Sequence, residues 1–256
     1  MEVGAITGYI DIAQVTLYAF WIFFAGLIFY LHRENKREGY PLESERSAYV
    51  TVQGFPPIPA PKTYRRRDGR IVRAPSGKGD SRPVAAVPAF GHPGAPLVPT
   101  GDPLADGVGP AAYAEREEEP ERTWEGEPLI APARLVPGTT IAKEDVDPRG
   151  MPVIAADKRV AGTVVELWID RSEPQIRYLE LETRDGGKRV LMPINFARID
   201  PRRREVRTRA LTATQIARVP GIASDSQITK REEDRICAYW AGGFLYATPD
   251  RQEPLL

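Results

Sequence analysis

Residues 12–31 read IAQVTLYAFWIFFAGLIFYL, a run with no charged side chain in which only Gln14 and Thr16 are clearly polar. At 1.5 Å per residue, roughly 20 apolar residues in a helix cross the ~30 Å hydrocarbon core of a bilayer. A helix is required because lipid offers no partner to backbone N–H and C=O groups. No second run of this kind occurs. The pattern predicts a single transmembrane helix over 12–31 and a large water-facing remainder.

The flanks set the orientation. Residues 1–11 carry Glu2 and Asp11 but no Lys or Arg, whereas His32, Arg33, Lys36 and Arg37 follow the run. Basic residues mark the cytoplasmic flank, so 1–11 are expected outside and the chain after 32 in the cytoplasm. Tyr9, Tyr18, Trp21 and Tyr30 suit interfacial belts. A cleaved signal peptide fits less well, because the apolar run is too long and its positive charge follows rather than precedes it.

The remaining ~220 residues have room for one or two domains. Lys plus Arg equals Asp plus Glu at 35 each, so any electrostatic role depends on local placement. Cys237 is the only cysteine and His32 and His92 the only histidines. Internal disulfides are therefore excluded, and with His32 at the membrane boundary a histidine-based metal centre or a Ser-His-Asp triad is not expected. No P-loop and no G-x-G-x-x-G is present. No nucleophile–base pair can be named, and a non-catalytic protein is expected.

Over residues 55–132 proline and glycine recur every few positions, as in FPPIPAPK, APSGKGD and GHPGAPLVPTGDP. Proline removes donors and fixes φ, which rules out a long helix or a central strand. The segment reads either as a linker or as extended chain held on a partner's surface. Phe55, Ile58, Tyr64, Ile71, Phe90, Leu97, Val98 and Tyr113 favour the second, since plain linkers carry few apolar anchors.

From Met151 the pattern turns to β: MPVIAA, VAGTVVELWID, IRYLELETR, KRVLMPINF and EVRTRAL, separated by turn signals such as Asp185-Gly186-Gly187 and Asp200-Pro201. Alternation in residues 178–182 predicts one apolar and one polar face. Short strands at this density predict a small antiparallel sheet or barrel. Thr229 with Glu232 three residues on is a capping box, and the helix it starts is expected over about 230–241, ending at Gly242-Gly243.

Five stretches in order now carry a family likeness: FWIFFAGLIFYLHRENKREGYPLE, PTGDPLADGVGPAAY, DPRGMPV, VAGTVVELWIDRSEPQIRYLELE and REEDRICAYWAGGFLYATP. With them the chain resembles the H subunit of the purple bacterial photosynthetic reaction centre, whose cytoplasmic part contains a PRC-barrel. The resemblance implies a periplasmic N-terminus (1–11), a transmembrane helix (12–31), a Pro/Gly-rich segment lying on partner subunits (32–132), and a mainly β cytoplasmic PRC-barrel domain with a C-terminal helix (133–256). It implies L and M subunits as partners, an antenna ring around them, and residence in the photosynthetic inner membrane. Bacteriochlorophyll, bacteriopheophytin, quinones and non-haem iron are then expected on other subunits, with no cofactor on this chain. The alternative is a membrane-tethered PRC-barrel adaptor for a different cytoplasmic partner.

The resemblance also names site residues. Glu173 stands at the position of the family's proton-path glutamate, with Asp170 and Arg177 matching beside it. The bland alternative is a solvated turn whose surface ion pair contributes well under ~1 kcal/mol. Just before the barrel, where some members carry a histidine pair around a glycine, this chain has Glu125-Gly126-Glu127. A histidine-based uptake point is thereby put in doubt, and Glu125 or Glu127 is the candidate substitute. Arg33, Lys36 and Arg37 are candidates for contact with anionic lipid, at roughly 1 kcal/mol per charge near the surface. The arginine runs 65–67 and 202–204 lack interleaved aromatics and read as solvated loops rather than a nucleic-acid surface.

The charge asymmetry makes a direct prediction. A reporter fused after Leu256 is expected to work only in its cytoplasm-requiring form; activity of a periplasm-requiring reporter would overturn the orientation.

Overall fold

The computed structural model describes residues 6, 11–40, 54–92, 94–173, 175–184 and 186–252. Glu2 and Tyr9 of the expected outer flank, and Pro174 and Asp185 of two expected turns, lie outside them. The chain divides into two compact units, Met1–Gly79 and Asp80–Leu256.

In the first unit, helix α1 spans Ile12–Arg37. Asp11 caps its start, accepting the Gln14 N–H at 2.7 Å. Its apolar window has a mean hydropathy of 2.0 with none of it buried in the protein, as a lipid-facing helix requires. The helix runs past the expected boundary at 31 because HRENKR continues the i→i−4 pattern. Two short strands, β1 (Lys62–Arg65) and β2 (Ile71–Ala74), form an antiparallel hairpin. Lys36 ties this unit together: its ammonium donates to Gly54 O and Pro56 O, each at 2.6 Å.

The second unit begins with a small antiparallel pair, β3 (Ala86–Pro88) and β4 (Leu97–Pro99), then a single helical turn, α2 (Pro103–Asp106). The main sheet follows: β5 (Ile130–Pro132), β6 (Pro152–Ile154), β7 (Val160–Asp170), β8 (Gln175–Thr183), β9 (Arg189–Pro193), β10 (Arg198–Asp200) and β11 (Glu205–Arg207). Its order is β10-β11-β6-β7-β8-β9, with β5 added alongside the end of β7. All pairs are antiparallel except β11–β6. The sheet does not close into a full barrel. The outer side of β9 is met by helix α4 (Lys230–Tyr246), whose Trp240 indole N–H donates to Leu191 O at 2.9 Å. The short helix α3 (Ala213–Ile216) precedes α4. The core is formed by Val153, Val164, Leu167, Leu179, Leu181, Met192, Ile236 and Trp240, all nearly inaccessible to water.

Two expectations need correction. The polar face predicted for residues 178–182 is covered in part: Glu180 is buried along with Tyr178, Leu179 and Leu181, while Glu182 stays exposed. Glu180 tolerates this because Trp168 donates its indole N–H at 3.0 Å and Arg189 sits at 3.2 Å. Directly across the ladder lies Glu166, also buried, with Arg134 and Arg149 at 3.7 and 3.9 Å. Buried carboxylates require such partners.

The second correction concerns Gly242-Gly243, which do not end α4; the helix continues to Tyr246. These glycines serve close packing. A Cβ on Gly243 would stand 2.5 Å from both Ala210 O and Leu211 Cδ2, and one on Gly242 would stand 2.6 Å from Ala111 Cβ. The capping box at the other end of α4 forms as expected, with Thr229 N–H donating to Glu232 at 2.8 Å and Glu232 N–H to Thr229 Oγ1 at 3.2 Å.

Gly243→Ala gains helix propensity but overpacks a backbone carbonyl. We expect a net loss of about 1–3 kcal/mol, read as a lower midpoint in chemical unfolding of the C-terminal unit; an unchanged or raised midpoint would contradict the packing role.

Candidate functional site

The long strand β7 positions the candidate residues. Its last residues pair with β5, placing Ile130 opposite Asp170, and Arg171 N–H donates to Leu129 O at 2.9 Å. The loop holding Glu125 and Glu127 therefore lies beside the β7–β8 turn. Arg171 bridges the two, with Nη1 3.3 Å from Glu127 Oε2 across 44 residues of sequence.

Asp170 is buried, at 6% exposure. Its Oδ1 accepts the N–H groups of Ser172 and Glu173 at 2.9 and 3.1 Å, so it shapes the turn that presents Glu173. Its Oδ2 lies 4.0 Å from Arg177 Nη1. Glu173, Glu125 and Glu127 are exposed on this chain. Glu173 accepts one long hydrogen bond, from Gln175 Nε2 at 3.3 Å. Sequence reasoning thus named groups that come together, but only Asp170 among these carboxylates is buried within the chain itself.

A further carboxylate was not anticipated. Glu233 on α4 is buried and accepts the Tyr178 hydroxyl at 3.0 Å. Desolvation pushes its pKa up, while the Tyr178 hydrogen bond and the nearby Arg177 charge act in the opposite sense. Burial likewise raises Tyr178 and Cys237, whose sulfur is 3.8 Å from the Tyr178 hydroxyl. A sequence signal did exist. Residues 233, 236 and 240 share one helical stripe, and Ile236 and Trp240 are core.

The acidic stretch before the uptake loop is fastened to the start of α4. Glu117 meets Lys230 at 3.2 Å, Glu118 meets Arg231 at 2.6 Å, and Arg116 meets Asp234 at 3.4 Å. Two buried donors in this neighbourhood, Thr123 Oγ1 and Arg171 Nε, have no hydrogen-bond acceptor among the described residues. Among the described residues no group of three or more His, Cys, Asp or Glu has a metal-binding arrangement.

The three juxtamembrane cations differ from their expected common role. Lys36 is buried, its ammonium held by backbone carbonyls. Arg37 pairs with Glu34 and donates from Nε to Ala60 O at 3.0 Å. Arg33 lies over the Phe29 ring at 5.9 Å. Lys36 and Arg37 thus fasten the polypeptide that follows the helix.

Comparison with known families gives two matches. Residues 4–135 match the family model described as photosynthetic reaction centre, H-chain N-terminal region, which is more than half of the chain. Residues 142–215 match that of the PRC-barrel domain.

Glu233 has a stability signature. A carboxyl whose folded pKa is raised contributes fully below its unfolded pKa, and the contribution is lost as pH rises through the folded value. Glu233→Gln keeps an acceptor for Tyr178 and cannot ionise. We expect its stability relative to the parent to improve steadily between about pH 4 and pH 8; a difference independent of pH would show that Glu233 does not titrate abnormally.

Proposed function

Because the chain belongs to the family of photosynthetic reaction-centre H chains, we propose that it caps the cytoplasmic face of the pigment-binding L and M subunits and helps carry protons from the cytoplasm to the secondary quinone. H chains act together with other reaction-centre subunits. The pigments, quinones and non-haem iron are assigned to those subunits, and this chain is assigned no catalytic step. The apolar α1 fits a membrane anchor; the orientation we assign, with the N-terminus periplasmic, follows from the charge asymmetry of its flanks. The match over residues 4–135 favours this reading over a generic PRC-barrel adaptor.

The observation that carries the proton role is the meeting of the Glu125–Glu127 loop with the turn of Asp170, Glu173 and Arg177. In this reading Glu125 and Glu127, exposed and acidic, collect protons where other family members use histidine. Glu173 passes them on, held by the turn that Asp170 shapes, and Arg177 sets the local potential for Asp170 and Glu233. A carboxylate does this work because it binds and releases a proton without other rearrangement. Exposure of Glu173 on the single chain agrees with a group buried only on assembly. Trp124, 77% exposed beside Glu125, is the kind of aromatic anchor that interfaces bury. An antenna ring around the assembly and anionic lipid near Arg33 complete the proposal.

The test is flash-induced kinetics of the second electron transfer in the assembled complex. Glu173→Gln is expected to slow this proton-coupled step by at least about tenfold, in the range one relay group contributes, while primary charge separation is unchanged. Asp170→Asn preserves the oxygen that shapes the turn and is expected to slow it less. Parent-like kinetics for Glu173→Gln between about pH 6 and pH 9 would leave the turn with a structural role only.

A further inference from the structure

A cleft of about 210 Å³ opens in the C-terminal unit where α2 meets α4. Arg218 and Arg235 line it together with the Tyr113 ring, and Leu104 and Pro220 supply apolar surface. Arg82, Arg116 and Arg231 of this unit each face a carboxylate. Arg218 and Arg235 form no ion pair with any described residue. The only carboxylate in the lining is Asp102, whose Oδ1 accepts the Leu104 N–H at 3.1 Å to cap α2. The lining therefore carries one net positive charge.

Arg235 is steadied through its guanidinium and Arg218 through the backbone on either side of it, while both side chains stay exposed. Arg235 lies over the Tyr113 ring at 5.6 Å, and the same ring is held by Arg82 at 4.2 Å, itself paired with Asp80. The backbone around Arg218 is anchored by the Tyr239 hydroxyl, which donates to Gln215 O at 3.1 Å, and by Lys188, which donates to Val219 O at 2.7 Å. Pre-positioned donors lower the ordering cost of binding.

We propose that this cleft binds a phosphate ester carrying a short apolar body. Each guanidinium fork engages a pair of oxygens. Each unesterified oxygen of a phosphate accepts more than one N–H, so the two or three such oxygens of a phosphate ester serve both arginines. Leu104, Pro220 and the Tyr113 ring take the apolar part, and the volume, at the small end for ligand sites, limits it to a few carbons. The ester is either a soluble organic phosphate or the headgroup end of a phospholipid.

The test is calorimetric titration of the full chain, purified in a non-ionic detergent, with butyl phosphate, inorganic phosphate and monomeric dihexanoyl phosphatidylglycerol. Butyl phosphate is expected to saturate a single site and to bind about tenfold more tightly than inorganic phosphate, the effect of a few buried methylenes. Arg218→Gln and Arg235→Gln are each expected to weaken it by roughly tenfold. Ala105→Glu leaves both arginines in place and puts a carboxylate at the rim; it is expected to abolish binding. Arg198→Gln, exposed on β10 outside the cleft, should change nothing. Displacement of butyl phosphate by the phosphatidylglycerol assigns the site to a lipid headgroup, and its failure to displace assigns it to a soluble ester. No saturable binding up to about 10 mM, or equal weakening by Arg198→Gln, overturns the site.

Discussion

Strand β7 hydrogen-bonds to three others, and the placement of Asp170, its turn and Glu127 follows from that sharing. Its first half pairs with β6, its last residues pair with β5, and its other edge pairs along most of its length with β8. Side chains alternate along a strand, so a slip of one residue would exchange Asp170 for a neighbour and turn its carboxylate to the other face. Register also fixes the uptake loop. Because Ile130 stands opposite Asp170, Glu127 falls within reach of Arg171. Register shifts at residues 164–166 and 168–169 bend the strand, re-aiming its end toward the turn.

Charge is handled differently in the two units. In the C-terminal unit, carboxylates are buried where a cation or a hydrogen-bond donor reaches them, as at Glu166, Glu180 and Asp170. Among the described residues Glu233 accepts the Tyr178 hydroxyl, and desolvation is the largest influence on its pKa, raising it. In the N-terminal unit the buried charge is an ammonium, and two carbonyls replace its water. Burying an ammonium requires well-placed acceptors, so Lys36 and residues 54–56 hold one another in position.

Glu125, Glu127 and Glu173 share a property that suits proton uptake: each is reachable from water on the single chain. Asp170 and Glu233 lie inward of them and connect to the same arginine, Arg177, one by direct approach and the other through its field.

The span, the β-rich second half, the capping box at Thr229 and the β7 strand were legible in the sequence because each depends on local chemistry: continuous apolarity, β-branched runs, an oxygen three residues before a glutamate. The candidate turn was singled out only through family resemblance, since Asp, Glu and Arg in a turn are common on any surface. What the tertiary structure alone decided was which polar groups lose their water. Alternation suggested that Glu180 faces solvent, yet packing covers it. Glycines at 242 and 243 looked like a stop signal and proved to be points of close contact with Ala111 and Ala210. Lys36 looked like a headgroup contact and is enclosed by carbonyls from a segment 18 to 20 residues away. Burial is a property of the neighbours that arrive from elsewhere in the chain, and no local pattern specifies them.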